Sequence, residues 1–255
     1  MAQSVIITGA SRGIGKAIAT RLAADGYALL LVARTADALD ELALELASQG
    51  AKVATFACDI TEETAGARVR DAALDALGPP WGLVNNAGMA ESAALAKTDE
   101  LLLRRHFELN VYAPIRIMRA VVPRMVENKG GRVINIASTA ALAGYPYVTA
   151  YAASKHALLG ATRSLAREYA GKGVTFNAVC PGYVRTEMFD QTIRNIAERT
   201  GLDEVQAEDK LMRLSPQNRV FDPAEIANAV AFLLGDGAHG INGQALSVDG
   251  GEIEH

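Results

Sequence analysis

The chain has 255 residues, of which half are apolar and 21% charged, with a formal net charge of −4. That balance suits a folded domain with a sizeable core and excludes a disordered chain, which would carry fewer apolar residues and more unbalanced charge. It also argues against a dedicated nucleic-acid binder, which has to neutralise phosphates, while leaving room for a local basic pocket around one phosphorylated ligand.

The first residues lead straight into Ser4-Val5-Ile6-Ile7-Thr8, a strand pattern rather than a signal peptide. No apolar run approaches the roughly 18 residues of a membrane span. A cytoplasmic protein with neither membrane nor nucleic-acid partners is expected. Apolar runs at 4–8, 28–33, 53–58, 82–85, 132–138, 174–180 and 245–248 predict strands. Most are continuous rather than alternating, as in parallel strands covered by helices on both faces. Amphipathic stretches at 14–25, 38–48, 65–77, 101–127, 152–170 and 224–234 predict helices. The last opens on Asp222-Pro223-Ala224-Glu225, an N-cap followed by an early proline.

This alternation predicts an α/β fold of Rossmann type, a doubly wound parallel sheet of seven strands in one domain spanning 1–255. Residues 186–215 break the rhythm with two helical patches joined at Thr200-Gly201 and scattered apolar residues, among them Met188, Phe189, Ile193, Leu202 and Leu211. The excursion reads either as a substrate lid or as a helical insertion packed on the core. Cys58 and Cys180 each close an apolar stretch and read as buried thiols rather than a disulfide. No Cys/His cluster has metal-ligand spacing, and His106, His156, His239 and His255 receive no role.

Thr8-Gly9-Ala10-Ser11-Arg12-Gly13-Ile14-Gly15 lies between the first strand and the first helix. Glycines permit a tight turn and let backbone approach a pyrophosphate, while the helix N-terminus supplies N–H groups and a favourable dipole. The spacing differs from the common Gly-x-Gly-x2-Gly fingerprint. The second strand closes on Arg34, where an NAD site would place a carboxylate for the ribose. Arg34 and Arg12 together suit a 2′-phosphate, because each guanidinium offers planar paired donors and stays charged. NADP(H) is therefore expected over NAD(H). Asp37 is the counter-candidate for an NAD ribose, or a carboxylate complementing a helix dipole.

Tyr151 and Lys155 stand four residues apart on one helix face. A phenol titrates near 10, too high for easy proton transfer at neutral pH, and a neighbouring ammonium stabilises its anion. The pair alone is weak, since an exposed tyrosine beside a solvated lysine has the same spacing. The fifth strand delivers Ser138 at its carboxyl end, the ligand-binding edge of such sheets, and Asn85-Asn86-Ala87-Gly88 closes the fourth strand there. Asn110 falls inside a helix, where its amide needs partners, catalytic or structural.

Taken in order, Thr8-Gly9-x3-Gly13-x-Gly15, Asn85-Asn86-Ala87-Gly88, Asn110, Ser138, Tyr151-x3-Lys155 and Pro181-Gly182-x-Val184-x-Thr186 resemble the short-chain dehydrogenase/reductase family across essentially the whole chain. The resemblance implies that Tyr151 exchanges the proton, while Lys155 lowers its pKa and binds the nicotinamide ribose. It implies that Ser138 polarises the substrate oxygen and that Asn110 positions a water linking Lys155 to solvent. For the cofactor it implies a pyrophosphate loop at Gly9, Ser11, Arg12, Gly13, Ile14 and Gly15. Asp59, with Ile60 beside it, matches an adenine contact. Asn86, Ala87 and Gly88 match the cleft lining, and Val184 and Thr186, after Pro181 and Gly182, match contacts to the carboxamide. Family members transfer the pro-S hydride and form dimers or tetramers, so a homodimer or homotetramer is expected.

Substrate-facing segments are expected at 89–92, 140–147 and 186–215, rich in Ala, Leu, Met and Tyr. They suggest a largely apolar pocket. The long excursion is similar to that of acyl-thioester and polyketide ketoreductases. A 3-oxoacyl thioester on CoA or acyl carrier protein is the expected substrate, with a free cyclic, aromatic or steroid-like ketone as the alternative. A non-catalytic dinucleotide sensor is the reading from another class, and such proteins commonly lose the Tyr/Lys pair.

Overall fold

The apolar run Ser4–Thr8 (β1) is buried at all five positions, because strands flank it on both sides and helices cover both faces. The computed structural model describes residues 2–253; His255 lies outside the described residues. With β1 run β2 (Ala28–Ala33), β3 (Val53–Ala57), β4 (Pro80–Asn85), β5 (Gly131–Ile136), β6 (Val174–Pro181) and β7 (Ala245–Val248). They form one seven-stranded sheet in the order β3-β2-β1-β4-β5-β6-β7, and every pairing is parallel. The chain winds outward from β1 to β3, then returns to place β4 on the other side of β1. The order reverses between β1 and β4, and at such a point the connections diverge and leave a crevice at the carboxyl ends of the strands.

Parallel strands need long crossovers, and helices supply them. On one face lie α1 (Gly13–Ala24), α2 (Ala36–Ser48) and α9 (Pro223–Leu234), burying Ile18, Leu22, Leu39, Leu46, Ile226 and Val230 against the sheet. On the other lie α3 (Ala65–Leu77), α5 (Ala113–Glu127) and α6 (Thr149–Tyr169), with Val69, Ile117, Val121 and Met125 in the second core. Each such side chain contributes about 1.5–3 kcal/mol by leaving water. The helices α3 and α5 touch at backbone level: a Cβ on Gly66 would stand 2.4 Å from the Arg116 carbonyl oxygen.

The expected helix at 101–127 is divided. It runs as α4 (Glu100–Phe107), a π-helical turn at Glu108–Tyr112 and then α5. Pro114 lacks the N–H that an α-helix would direct to the Asn110 carbonyl, so the wider turn falls where the regular ladder is already broken. The fifth strand ends at Ile136 instead of reaching Ser138. Ser138 caps a short 3-10 turn, its hydroxyl accepting the Ala140 N–H at 3.1 Å.

The 186–215 excursion folds as α7 (Glu187–Thr200) and α8 (Glu204–Met212), joined through left-handed Gly201 (φ 72°). Phe189, Ile193, Ala207 and Leu211 form a small apolar cluster of their own, separate from the sheet cores. Cys58 and Cys180 are both free and buried. No helix among the described residues is long and apolar enough to cross a membrane.

Polar side chains cross the middle of the sheet in a line. Asn85 Nδ2 donates to Asn135 Oδ1 at 2.8 Å, and Asn135 Nδ2 donates to Thr162 Oγ1 at 2.8 Å. Both asparagines are almost wholly buried, so losing one leaves its neighbour's donor without water or partner. Asn135→Leu is expected to remove about 1–3 kcal/mol, read as a lower urea midpoint at unchanged slope; an unmoved midpoint would contradict this account.

Candidate active site

At the carboxyl end of β1 the chain turns sharply into α1. Gly9 adopts φ 65° and Gly13 φ 54°, values open to glycine at no steric cost. A Cβ on Gly9 would come 2.8 Å from the Ala87 Cα, and one on Gly15 only 2.1 Å from the Gly9 carbonyl oxygen. The loop is held to β4 from beneath: Asn86 Nδ2 donates to the Thr8 and Gly9 carbonyls at 3.0 Å each, while Thr8 Oγ1 accepts the Asn86 and Ala87 N–H groups. The N-terminus of α1 has no side-chain cap and no acidic residue in its first turn. Uncapped N–H groups over a floor without side chains fit the pyrophosphate of a dinucleotide. Ser11 and Ile14 lie in the same turn, partly accessible.

On the other side of the crevice, α6 presents Tyr151 and Lys155 toward the end of β5. The Tyr151 and Ser138 hydroxyls are hydrogen-bonded. Lys155 is 4% exposed; its ammonium donates to the Ile136 carbonyl at 2.8 Å and lies 5.8 Å from the Tyr151 ring centre. The π-helical turn aims Asn110 into the same place. Asn110 Oδ1 accepts the Met89 N–H at 2.9 Å, and Nδ2 donates to the Met89 carbonyl and to Ser154 Oγ. Gly88 lies between: a Cβ there would meet Asn110 Oδ1 at 3.2 Å and Lys155 Nζ at 3.5 Å. Ser138, Tyr151, Lys155 and Asn110 thus share one cluster beside Gly88.

The electrostatics differ from the expectation in one respect. The expected effect of Lys155 was to pull the Tyr151 phenol down, yet burial raises it, with the Ser138 hydrogen bond acting in the opposite direction. Burial also pushes Lys155 down to about 8. Crowding by protein atoms disfavours both charged forms, and it dominates here. Cys180, packed nearby, is pushed up to about 11, chiefly by burial.

The remaining residues expected to hold the cofactor follow the carboxyl ends of β1, β2, β3 and β6. Asp59 Oδ1 accepts the Thr61 N–H and hydroxyl at 2.9 and 2.7 Å, which holds its carboxyl low; Ile60 beside it is buried. Arg34 is exposed after β2, within electrostatic reach of Asp59. Asp37 sits in the first turn of α2. Arg12 pairs with Glu187 at the start of α7, both largely exposed. Pro181 ends β6, Gly182 donates to the Val248 carbonyl, and Val184 bridges to Phe221. Thr186 caps α7 and packs 3.2 Å from where a Gly13 Cβ would stand.

Three neighbours of the cluster were not singled out from the sequence. Ser154 supports Asn110, and its place one residue before Lys155 carried no separate signal. His106 is fully buried, its ring edge-on to Tyr151 at 6.4 Å, with Nε2 accepting the Glu91 N–H and Nδ1 against the Leu102 carbonyl. Its spacing, one helical turn before Asn110, was the available clue. The third is Glu252, hydrogen-bonded to Tyr145. The 89–93 and 140–147 segments are tied by the Ala93 N–H to the Tyr147 carbonyl at 2.7 Å. Arg199 of α7 reaches the Ser92 carbonyl and hydroxyl.

This architecture is that of a known family. Residues 3–197 match the model of the short chain dehydrogenase family, and the chain belongs to that family of oxidoreductases. It is 34% identical to a provisionally named ketoacyl reductase of Streptomyces coelicolor, covering 96% of this chain and 95% of that protein. It is 35% identical to 2-(R)-hydroxypropyl-CoM dehydrogenase of Xanthobacter autotrophicus, covering 98% of each. Among solved structures, a variant of actinorhodin polyketide ketoreductase with NADPH superposes with a TM-score of 0.96 at 33% identity, covering 100% of this chain and 98% of that one. L-Sorbose reductase of Gluconobacter frateurii, complexed with NADPH and L-sorbose, gives 0.94 at 30% identity, covering 100% and 97%.

The buried ammonium generates a pH prediction. Lys155 holds its proton less tightly folded, at about 8, than at the ordinary lysine value of 10.5. Between those values the unfolded chain binds more protons, so this residue's contribution to stability rises with pH. The unfolding free energy of wild type relative to Lys155→Met is expected to increase from pH 8 to 10.5; a difference flat across that window would contradict a charge buried at neutral pH.

Proposed function

We propose that the chain is an NADP(H)-dependent reductase of a 3-oxoacyl thioester carried on CoA or acyl carrier protein, with Ser138, Tyr151, Lys155 and Asn110 as its catalytic residues. One observation carries the reaction class: a crowded, protonated Tyr151 phenol hydrogen-bonded to Ser138 at the carboxyl edge of the sheet, beside a glycine cradle fit for a dinucleotide. The substrate class draws support from the likeness to ketoacyl and polyketide ketoreductases and from the apolar residues of α7 and α8. A free ketone is the second reading, favoured by the likeness to L-sorbose reductase.

The pyrophosphate would lie on Gly9, Ser11, Arg12, Gly13, Ile14 and Gly15, and the adenine against Asp59 and Ile60. The nicotinamide end would lie along Asn86, Ala87 and Gly88 and against Pro181, Gly182, Val184 and Thr186. Arg34 and Arg12 would hold the 2′-phosphate. Arg12 is free to turn to it, because an exposed ion pair such as Arg12–Glu187 contributes about 0–1 kcal/mol. The likeness to two NADPH-bound reductases supports the same choice.

NADPH, when bound, supplies the hydride. The protein aligns the carbonyl and manages the proton. Ser138 and Tyr151 hydrogen-bond the carbonyl oxygen, and these bonds strengthen as negative charge develops there. Tyr151 then gives its proton to that oxygen. A phenol whose pKa is raised stays protonated at neutral pH, which suits it to act as the acid in the reductive direction. Lys155 would bind the nicotinamide ribose and, through a water positioned by Asn110, return a proton to the phenol. The α7–α8 hairpin would close over the substrate, tied to the opposite wall through Arg199 and Ser92. Exposed Phe232 and Leu246, on α9 and β7, offer an apolar patch for a homodimer or homotetramer.

The direct test is loss of NADPH absorbance with a panel of 3-oxoacyl-CoA and acyl-cysteamine thioesters and free ketones; tight NADPH binding without turnover of any of them would overturn the reading in favour of a sensor. Tyr151→Phe is expected to lower kcat by at least about a hundredfold while NADPH still binds; near-normal turnover would remove Tyr151 from the proton step. Arg34→Asp is expected to raise the KM for NADPH by tenfold or more and that for NADH much less, since a paired guanidinium–phosphate contact is lost only in the first. An unchanged cofactor preference would remove Arg34 from the phosphate site.

A further inference from the structure

His106 stands on the last turn of α4, one turn before Asn110, and is fully buried. A polar ring taken out of water needs a partner for each nitrogen. Nδ1 lies 2.9 Å from the Leu102 carbonyl oxygen, and Nε2 lies 3.1 Å from the Glu91 backbone nitrogen. A carbonyl only accepts, so Nδ1 carries the hydrogen and Nε2 accepts the Glu91 N–H. The ring is a neutral imidazole whose donor and acceptor are both in use. Turning it over would set carbon against both partners, so one orientation is fixed.

That orientation sets what the ring presents to α6, on which α4 packs. The His106 and Tyr151 rings meet edge-on, with centres 6.4 Å apart and planes at 68°, within the range where T-shaped aromatic pairs attract. Tyr151 lies in the first turn of α6, whose N-terminus has no side-chain cap. Helix ends fray unless something outside the helix holds them. The hydrogen bond with Ser138 fixes the Tyr151 hydroxyl, and the imidazole edge restrains the ring that carries it.

The same imidazole fixes the segment after Gly88. It binds the Glu91 N–H, while Asn110 holds both the N–H and the carbonyl of Met89. The Glu91 carboxylate adds a half-exposed ion pair with Arg105 at 2.9 Å, a minor contribution at such exposure. Beyond it, Ser92 meets Arg199 of α7. His106 therefore touches both the 89–92 segment, expected to face the substrate, and the residue expected to deliver the proton.

We propose that His106 is a positioning residue for the reduction: it fixes the angle of the Tyr151 ring and the distance between that ring and the 89–92 wall, and it exchanges no proton itself. The proposal rests on the reductase reading above and deepens it. Displacing reacting groups by about an ångström can slow a reaction by about a hundredfold, so the effect falls on the chemical step. NADPH affinity, assigned chiefly to the glycine loop after β1, is expected to stay within twofold.

The test compares wild type with His106→Leu, His106→Gln and His106→Phe, each first shown to be folded by its urea midpoint. With acetoacetyl-CoA, the single-turnover rate of NADPH oxidation is expected to fall about tenfold or more in His106→Leu. His106→Gln keeps an acceptor for the Glu91 N–H, and His106→Phe keeps a ring beside Tyr151; each is expected to recover part of the rate. Two readouts need no turnover. Amide exchange at Glu91 is expected to accelerate in His106→Leu and His106→Phe and to slow again in His106→Gln. In protein labelled with 3-fluorotyrosine, the Tyr151 fluorine resonance, identified by its absence in Tyr151→Phe, is expected to move in His106→Leu and return toward wild type in His106→Phe. A single-turnover rate within twofold of wild type in all three variants overturns the proposal. So does a loss of rate matched by an equal loss of NADPH affinity with no recovery in His106→Gln or His106→Phe, which marks a merely structural histidine. Should wild type reduce none of the thioesters or ketones, the reductase reading falls and the two spectroscopic readouts decide the rest. Both changed as expected sustain His106 as the residue that positions Tyr151 and Glu91, and both unchanged overturn that too.

Discussion

The hydrogen bond from Lys155 to the Ile136 carbonyl is the contact on which the candidate site depends. It joins the second turn of α6 to the last residue of β5, and so sets where Tyr151, one turn earlier, meets Ser138. An ammonium is strongly hydrated, and taking it nearly out of water has a large cost that one carbonyl offsets in part. A side chain held at such a cost is placed there for something other than stability. The same crowding that weakens the hold of Lys155 on its proton strengthens that of Tyr151, so both groups respond to one dielectric environment.

The opposite wall of the crevice follows from a different constraint, the absence of side chains. Gly9 and Gly15 approach Ala87 and each other more closely than any Cβ would allow, and Asn86 and Thr8 hold that approach with four hydrogen bonds. Asn110 binds the two halves together. Its amide grips the Met89 backbone from one side and Ser154 from the other, from a π-helical turn that a straight helix would not provide. Wide turns of this kind occur often at functional sites, because the extra residue lets a side chain leave the helix register.

Much of this was legible in the sequence because it depends on periodicity and glycine. Apolar runs marked all seven strands to within two residues, and most were continuous, since strands buried on both faces carry no alternation. The glycine loop, the Asn-Asn-Ala-Gly segment and the Tyr-x3-Lys pair were readable as fixed offsets along the chain. What was not legible depends on three-dimensional contact. The break in helix 101–127 required knowing that Asn110 had partners in Met89 and Ser154, although Pro114 was the local hint. The raised Tyr151 phenol required knowing how closely protein surrounds it, which no spacing reports. Glu252 lies 107 positions from Tyr145 along the chain, and nothing in its neighbours marks their contact.

The apolar cluster inside the α7–α8 hairpin has an evolutionary consequence. Because Phe189, Ile193, Ala207 and Leu211 pack on one another rather than into the sheet, replacements along the inner surface of the hairpin are insulated from the two main cores. If the hairpin covers the substrate as proposed, substrate choice can drift there while the glycine loop and the Ser138–Tyr151–Lys155 cluster stay fixed. A scaffold partitioned in this way lets one chemistry be re-aimed at many carbonyls without refolding the molecule each time.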